Sequence, residues 1–173
     1  MEEIEIQSRA VLLAENLIRV LRSHSRSLAL AESCTGGLVS EYLVRVPGAS
    51  GVLWGSYVCY TPEAKISMLN LERDRLEGFG TVSRETAGDM AEGALEKSGA
   101  NMAAAVTGLA GPQGDGSALP VGTVWVAVAL KKKGIVVLRD YCFKGSRNEI
   151  RLQAAIAVLE ALFEALETKN GLE

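Results

Sequence analysis

The chain has 173 residues, room for one domain of ordinary size and little more. Apolar residues make up 48% and charged residues 23%, which excludes a disordered or fibrous chain. Eighteen Lys+Arg against 21 Asp+Glu leave a net charge of −3, so a nucleic-acid partner held through its phosphates is not expected.

The acidic opening, residues 1–9, lacks the basic-then-apolar order of a secretory signal, and no apolar run has membrane-spanning length. Cys34, Cys59 and Cys142 are widely and irregularly spaced, which fits neither a disulfide framework nor a zinc motif. A cytoplasmic protein without a membrane partner is the expectation.

The spacing of Ala10, Ala14, Leu17, Ile18 and Leu21 predicts a helix over 4–24 with one buried face. The apolar run 27–32 predicts a buried strand, followed by a turn at 33–37 and a helix over 38–46. Residues 52–60, β-branched and aromatic, predict a second strand. Thr61, Pro62 and Glu63 then read as the start of a helix, with a capping hydroxyl, a proline at the first position and an acid at the positive end. That places Lys65 in the first helical turn. A polar stretch over 70–80 leads to a helix from Ser83 to about Ser98, a strand over 101–106 and a glycine-rich loop over 107–119.

Residues 121–130 are apolar at nearly every position, as in a strand covered on both faces. A lysine-rich turn at 131–134 and a return strand at 135–143 predict an antiparallel hairpin. Ser146 and Glu149 form a capping box that opens the last helix. The order predicts an α/β domain over 1–173, a three-layer α/β/α sandwich with a mixed, mostly parallel sheet and one late antiparallel hairpin. The wide apolar surface of the last helix, carried by Ile150, Ala154, Ala157, Val158 and Ala161, predicts a homo-oligomer.

In open α/β sheets ligands sit beyond the carboxyl ends of strands. Four loops there hold chemically useful residues. In Ser33-Cys34-Thr35-Gly36-Gly37, a hydroxyl either caps the next helix or faces backbone N–H groups that stabilise an oxyanion, and the glycines admit a ligand close to the backbone. Lys65 is either a surface lysine or a base whose pKa is depressed by the helix end and desolvation; service near neutrality needs a fall of roughly three units, about 4 kcal/mol. Tyr60 either steers a proton or stacks on substrate, or simply closes its strand. The loop holding Thr107, Gly108 and Gly111 has no Walker ending and no dinucleotide fingerprint, yet can present N–H groups to an anion or serve as a plain connection. Arg147 and Arg151 share a helix face and fit a phosphate or neighbouring acids.

His24, the single histidine, stands at the end of the first helix, so no Ser-His-Asp or Cys-His arrangement is expected. Neither a metal nor a cofactor is expected, since HExxH, CxxC and regular acidic loops are all missing from the sequence. Cys34 is the best-placed thiol for an alternative nucleophile.

Taken in order, 31–37, 46–50, 60–65, 80–83, 105–112, 120–124 and 145–147 resemble the CinA C-terminal domain family, in particular the stand-alone nicotinamide mononucleotide (NMN) amidases. The resemblance implies hydrolysis of the NMN carboxamide to nicotinate mononucleotide and ammonia, in pyridine-nucleotide salvage. By motif match Ser33 is the nucleophile, Lys65 its base and Tyr60 an assistant. Thr107 and Gly108 bind substrate or the oxyanion, joined by Thr35, Gly36 and Gly111, while Arg147 and Arg151 meet the phosphate. The chain departs from the family's usual residues with Pro62 for Asn, Ser146 for Asp and Leu119 for Lys. A nucleotide-binding module of the same fold without chemistry is the alternative these departures motivate.

Overall fold

The computed structural model describes residues 3–167, so the ends of the expected domain, 1–2 and 168–173, lie outside the described residues. The elements are α1 (Glu3–Ser23), β1 (Leu28–Glu32), α2 (Leu38–Val44), a short 3-10 turn (Ala49–Gly51), β2 (Leu53–Val58), α3 (Pro62–Leu69), α4 (Arg73–Phe79) and α5 (Arg84–Ser98). They continue with β3 (Met102–Gly108), β4 (Thr123–Leu130), β5 (Gly134–Cys142) and α6 (Arg147–Glu167). Strand and helix ends differ from the expected ones by one or two residues. Two differences change the reading of a segment. The polar stretch 70–80 contains the helix α4, and Thr107 and Gly108 are the end of β3 rather than the start of a loop.

Five strands form one sheet in the order β2-β1-β3-β4-β5. β1 pairs in parallel with β2 and β3, while β4 is antiparallel to both β3 and β5. Four strands therefore run one way and β4 alone runs back. The expected hairpin is β4–β5, and the β3–β4 pair is a second antiparallel neighbour that the sequence reading did not include.

The two sheet faces are built from different side chains. Leu28, Leu30, Met102, Val106, Val126 and Val128 face a core shared with α1, α2 and α6. The alternate positions Ala29, Ala31, Ala103, Ala105, Ala127 and Ala129 face α3, α4 and α5. The period-2 alternation separates large from small residues, so α5 can lie close to the sheet. The core is thus divided by the sheet into a bulky half and a tightly approached half.

A close approach also joins α3 to α5. A methyl group added at Gly93 would stand 2.4 Å from the Leu69 carbonyl oxygen. Gly93 thereby lets the end of α3 touch α5 backbone to backbone, which sets the height of the helix that carries Lys65.

α6 lies against α1, α2 and the bulky face of the sheet, and its apolar positions from Ile150 to Leu166 are buried within the chain except Phe163, which is partly buried. The breadth of α6 is therefore used internally, and the expectation of a homo-oligomer loses that ground. Exposed apolar side chains stand elsewhere, with Trp54 and Val58 on the edge strand β2. Among the described residues no helix is long and apolar enough to cross a membrane.

Candidate active site

The strand order brings the chemistry-bearing loops together. β1 lies between β2 and β3, and the three run in parallel, so the turn after β1 is flanked by the segments that follow β2 and β3. β5 runs in the same direction, which carries the start of α6 to the same sheet edge. Ser33, Lys65, Thr107 and Arg147 thus meet at one edge although they are scattered over the chain.

Lys65 is the centre of the arrangement. Its Nζ donates to Ser33 Oγ at 2.7 Å and to the Cys59 carbonyl at 3.0 Å. Only 1% of Lys65 is exposed, and among the described residues no carboxylate pairs with it. A lysine so buried without an acid loses hydration of its charged form, and burial lowers its pKa. The Cys59 and Cys34 thiolates would act in the opposite direction. Burial, however, pushes these thiols up to about 11 and about 12, so at neutral pH they are uncharged and the opposition is silent.

Local sequence fixes this geometry. Thr61 Oγ1 accepts from the Ala64 N–H at 3.1 Å and caps α3, with Pro62 at the first helical position as expected. The segment before it is held by the Cys59 N–H donating to the Glu32 carbonyl at 2.8 Å. Ser33 is held from the other side, its N–H donating to the Val106 carbonyl at 3.0 Å. The segment leading to Lys65 is therefore tied to β1, and Ser33 to the central strand β3.

The residue before Ser33 carries a feature that sequence reasoning missed. Glu32 is 1% exposed and its carboxylate accepts six hydrogen bonds. The donors are Thr35 Oγ1, the N–H groups of Gly37, Val39 and Ser40, and the hydroxyls of Ser40 and Ser56. The first turn of α2 is therefore already occupied by an internal anion. The sequence expectation that these N–H groups face a ligand is corrected on this point. The signal was a lone acid closing an otherwise apolar run over 28–32.

Thr35 is fully buried with its hydroxyl committed to Glu32, and Gly36 is outside the lining of the cleft. Arg151 reaches back to the Thr35 carbonyl at 2.8 Å and to Asn148 at 3.3 Å, and it too is outside the cleft lining. Thr107 and Gly108 line the cleft, but the Thr107 hydroxyl is donated to the Thr81 carbonyl at 2.6 Å. Arg147 spans the opening, donating to the Tyr60 hydroxyl at 2.6 Å and to the Gly111 carbonyl. Tyr60 is half exposed at the rim.

The cleft encloses about 270 Å³. Ser33, Cys34 and Lys65 form its floor, the segments 107–111 and 113–115 one wall, and Tyr60, Pro62 and Arg147 the other. Pro62, one of the departures from the family's usual residues, lies directly on the cleft, whereas Leu119 is outside its lining. Among the described residues no group of three or more His, Cys, Asp and Glu side chains is placed to hold a metal ion. The arrangement offers a hydroxyl, a base within hydrogen-bond reach and one guanidinium facing them across a half-enclosed space. That set suits nucleophilic attack on an acyl carbon.

Similarity to known proteins covers the same elements. The CinA C-terminal domain model matches residues 11–166. A CinA-like protein of Thermotoga neapolitana is 38% identical over 158 residues, 91% of this chain and 38% of its own length. Another from Syntrophomonas wolfei is 40% identical over 151 residues, 87% of this chain and 35% of its own length. The chain thus spans little more than a third of these curated relatives. The crystal structure of the competence/damage inducible protein CihA from Agrobacterium tumefaciens aligns with a TM-score of 0.87 and 38% identity, covering 90% of this chain and 94% of that one. A CinA superfamily protein from Escherichia coli aligns with a TM-score of 0.85 and 30% identity, covering 89% and 88%. With the model matching across β1, α3, β3 and the start of α6, this chain belongs to the CinA C-terminal domain family.

Proposed function

We propose that the protein is an amidohydrolase that cleaves the carboxamide of nicotinamide mononucleotide, giving nicotinate mononucleotide and ammonia. The observation that carries this reading is the 2.7 Å hydrogen bond between Ser33 and a buried lysine that has no acidic partner among the described residues. The choice of NMN rests on the family resemblance and fits one arginine at the mouth of the cleft for a phosphate.

In the proposed reaction, neutral Lys65 takes the Ser33 hydroxyl proton as Oγ attacks the amide carbon. Negative charge gathers on the amide oxygen. The N–H groups at the start of α2 are committed to Glu32 and that of Leu109 to the Thr123 carbonyl, so the cleft-lining backbone at 110–111 is the better source of oxyanion donors. Lys65, now protonated, passes the proton to the departing nitrogen and ammonia leaves. Water then attacks the acyl–Ser33 ester, Lys65 again accepting the proton, and the carboxylate product is released with both side chains restored. Arg147 exchanges its Tyr60 and Gly111 bonds for the substrate phosphate.

The test is ammonia and nicotinate mononucleotide release from NMN by wild type, Ser33→Ala and Lys65→Ala. Turnover by wild type alone supports the reading. Folded wild-type protein that releases neither product across the neutral and alkaline range contradicts it, and NMN binding without product points to a silent nucleotide-binding module.

A further inference from the structure

Glu32 has no place in the reaction just described, yet it is among the most completely buried charged residues of the fold. Buried carboxylates are retained only where donors replace lost hydration. Here the replacement comes from three directions: the turn itself through Thr35, the first turn of α2 through Gly37, Val39 and Ser40, and the neighbouring strand β2 through Ser56. Gly37, at the N-cap position of α2, has no side chain to cap with. The cap is supplied instead by a residue of the preceding strand, five positions upstream.

The consequence is geometric. Ser33 directly follows Glu32, and the turn 33–37 leaves β1 through two left-handed glycines, Gly36 at φ 60° and Gly37 at φ 96°. The turn's own backbone bonds are local, Gly36 N–H to the Ser33 carbonyl at 3.1 Å and Leu38 N–H to the Thr35 carbonyl at 3.3 Å, and its start is tied to β3 through the Ser33 N–H. The Glu32 carboxylate closes it into a ring: its backbone lies in the sheet, and its side chain grips the far end of the turn and the adjacent strand. Arg151 adds a second tie to the same turn at the Thr35 carbonyl.

On this basis we propose that Glu32 is a positioning residue for the nucleophile. It holds the turn so that Ser33 Oγ remains within hydrogen-bond range of Lys65. The proposal rests on the Ser33–Lys65 reading for its kinetic consequence but not for its structural one. Glutamine in its place keeps the shape but turns one acceptor into an N–H₂ donor facing N–H and hydroxyl donors, so the turn must open. A displacement of about 1 Å at a nucleophile lowers turnover by about 100-fold. Arg147 and the wall 107–111 are anchored elsewhere, so substrate affinity stays close to that of wild type.

The experiment joins crystal structures and kinetics of wild type, Glu32→Gln and Thr35→Val, the last removing a single donor in case the first does not fold. Expected is a Lys65 Nζ–Ser33 Oγ separation beyond about 3.5 Å in Glu32→Gln, or in Thr35→Val if only that variant folds. Expected with it is a fall in kcat of about 100-fold for Glu32→Gln and a smaller fall for Thr35→Val, with KM within about threefold of wild type. A separation that stays near the wild-type value in every variant that folds overturns the proposal, as does wild-type kcat in them. If wild type itself does not act on NMN, the amidase reading fails while the measured separation still decides the role of Glu32.

Discussion

Lys65 Nζ and Ser33 Oγ are 2.7 Å apart across 32 positions of sequence, one on the helix after β2 and the other on the turn after β1. Because β1 and β2 are adjacent and parallel, their following segments emerge side by side, and a lysine one turn into α3 reaches the neighbouring turn. The lysine is buried in the floor of the cleft rather than displayed on the surface. Three consequences concern its charge and its support, and one concerns the thiol beside it.

Lys65 is expected to make stability depend on pH. Burial lowers its pKa in the folded state, whereas the unfolded chain has the ordinary value near 10.4. Between the two values the unfolded state binds more protons, so unfolding free energy rises with pH across that window. Lys65→Met removes this slope. Urea unfolding from pH 6 to 10 should show wild type gaining stability relative to Lys65→Met as pH rises; parallel curves would contradict a depressed amine.

Cys34 lines the same cleft, and burial raises its pKa to about 12, so at pH 7 to 8 it is a protonated thiol and a poor nucleophile. Iodoacetamide at pH 7.5 should alkylate exposed Cys142 and leave Cys34 and any amidase activity untouched. Rapid labelling of Cys34 with matching loss of turnover would transfer the nucleophile role to sulfur.

Much of this site was legible because local rules and tertiary structure agree there. Thr61-Pro62-Glu63 announces a helix start, and that start delivers Lys65; Ser146 and Glu149 announce another, with the Ser146 N–H donating to Glu149 at 2.7 Å. What local rules do not contain is which polar groups are used up internally. The hydroxyls of Thr35 and Thr107 and the guanidinium of Arg151 read as ligand contacts, yet each bonds to the protein's own backbone or to Glu32. Glu32 lay within the predicted strand 27–32 with no role of its own, since burial of a carboxylate depends on donors from three separate segments. α4 was hidden for the opposite reason: Leu76 is its one buried residue, too little to print a period on the sequence.

Gly93 offers a test of the support under Lys65. In an exposed helix interior, alanine is favoured over glycine by about 1 kcal/mol. At this position the added methyl would stand 2.4 Å from the Leu69 carbonyl oxygen, so α3 must move away from α5. Gly93→Ala is expected to lower stability by about 1–3 kcal/mol and to reduce kcat as Lys65 shifts. A gain in stability at unchanged kcat would show that the close approach does not matter.

Thr61 caps α3 through its bond to the Ala64 N–H. Thr61→Ala should cost about 1 kcal/mol in denaturant unfolding and lower kcat several-fold, because Lys65 belongs to the helical turn the cap secures. Thr61→Ser should restore both.

The most direct measurement of the central claim is the titration of the Lys65 side chain itself, followed by NMR on protein carrying ¹⁵N at lysine Nζ. The account predicts a midpoint below the ordinary lysine value near 10.4, lowered by burial, and loss of that resonance in Lys65→Met. A midpoint at or above 10.4 would mean a permanently charged ammonium next to Ser33, and the proposed proton transfer would have no acceptor.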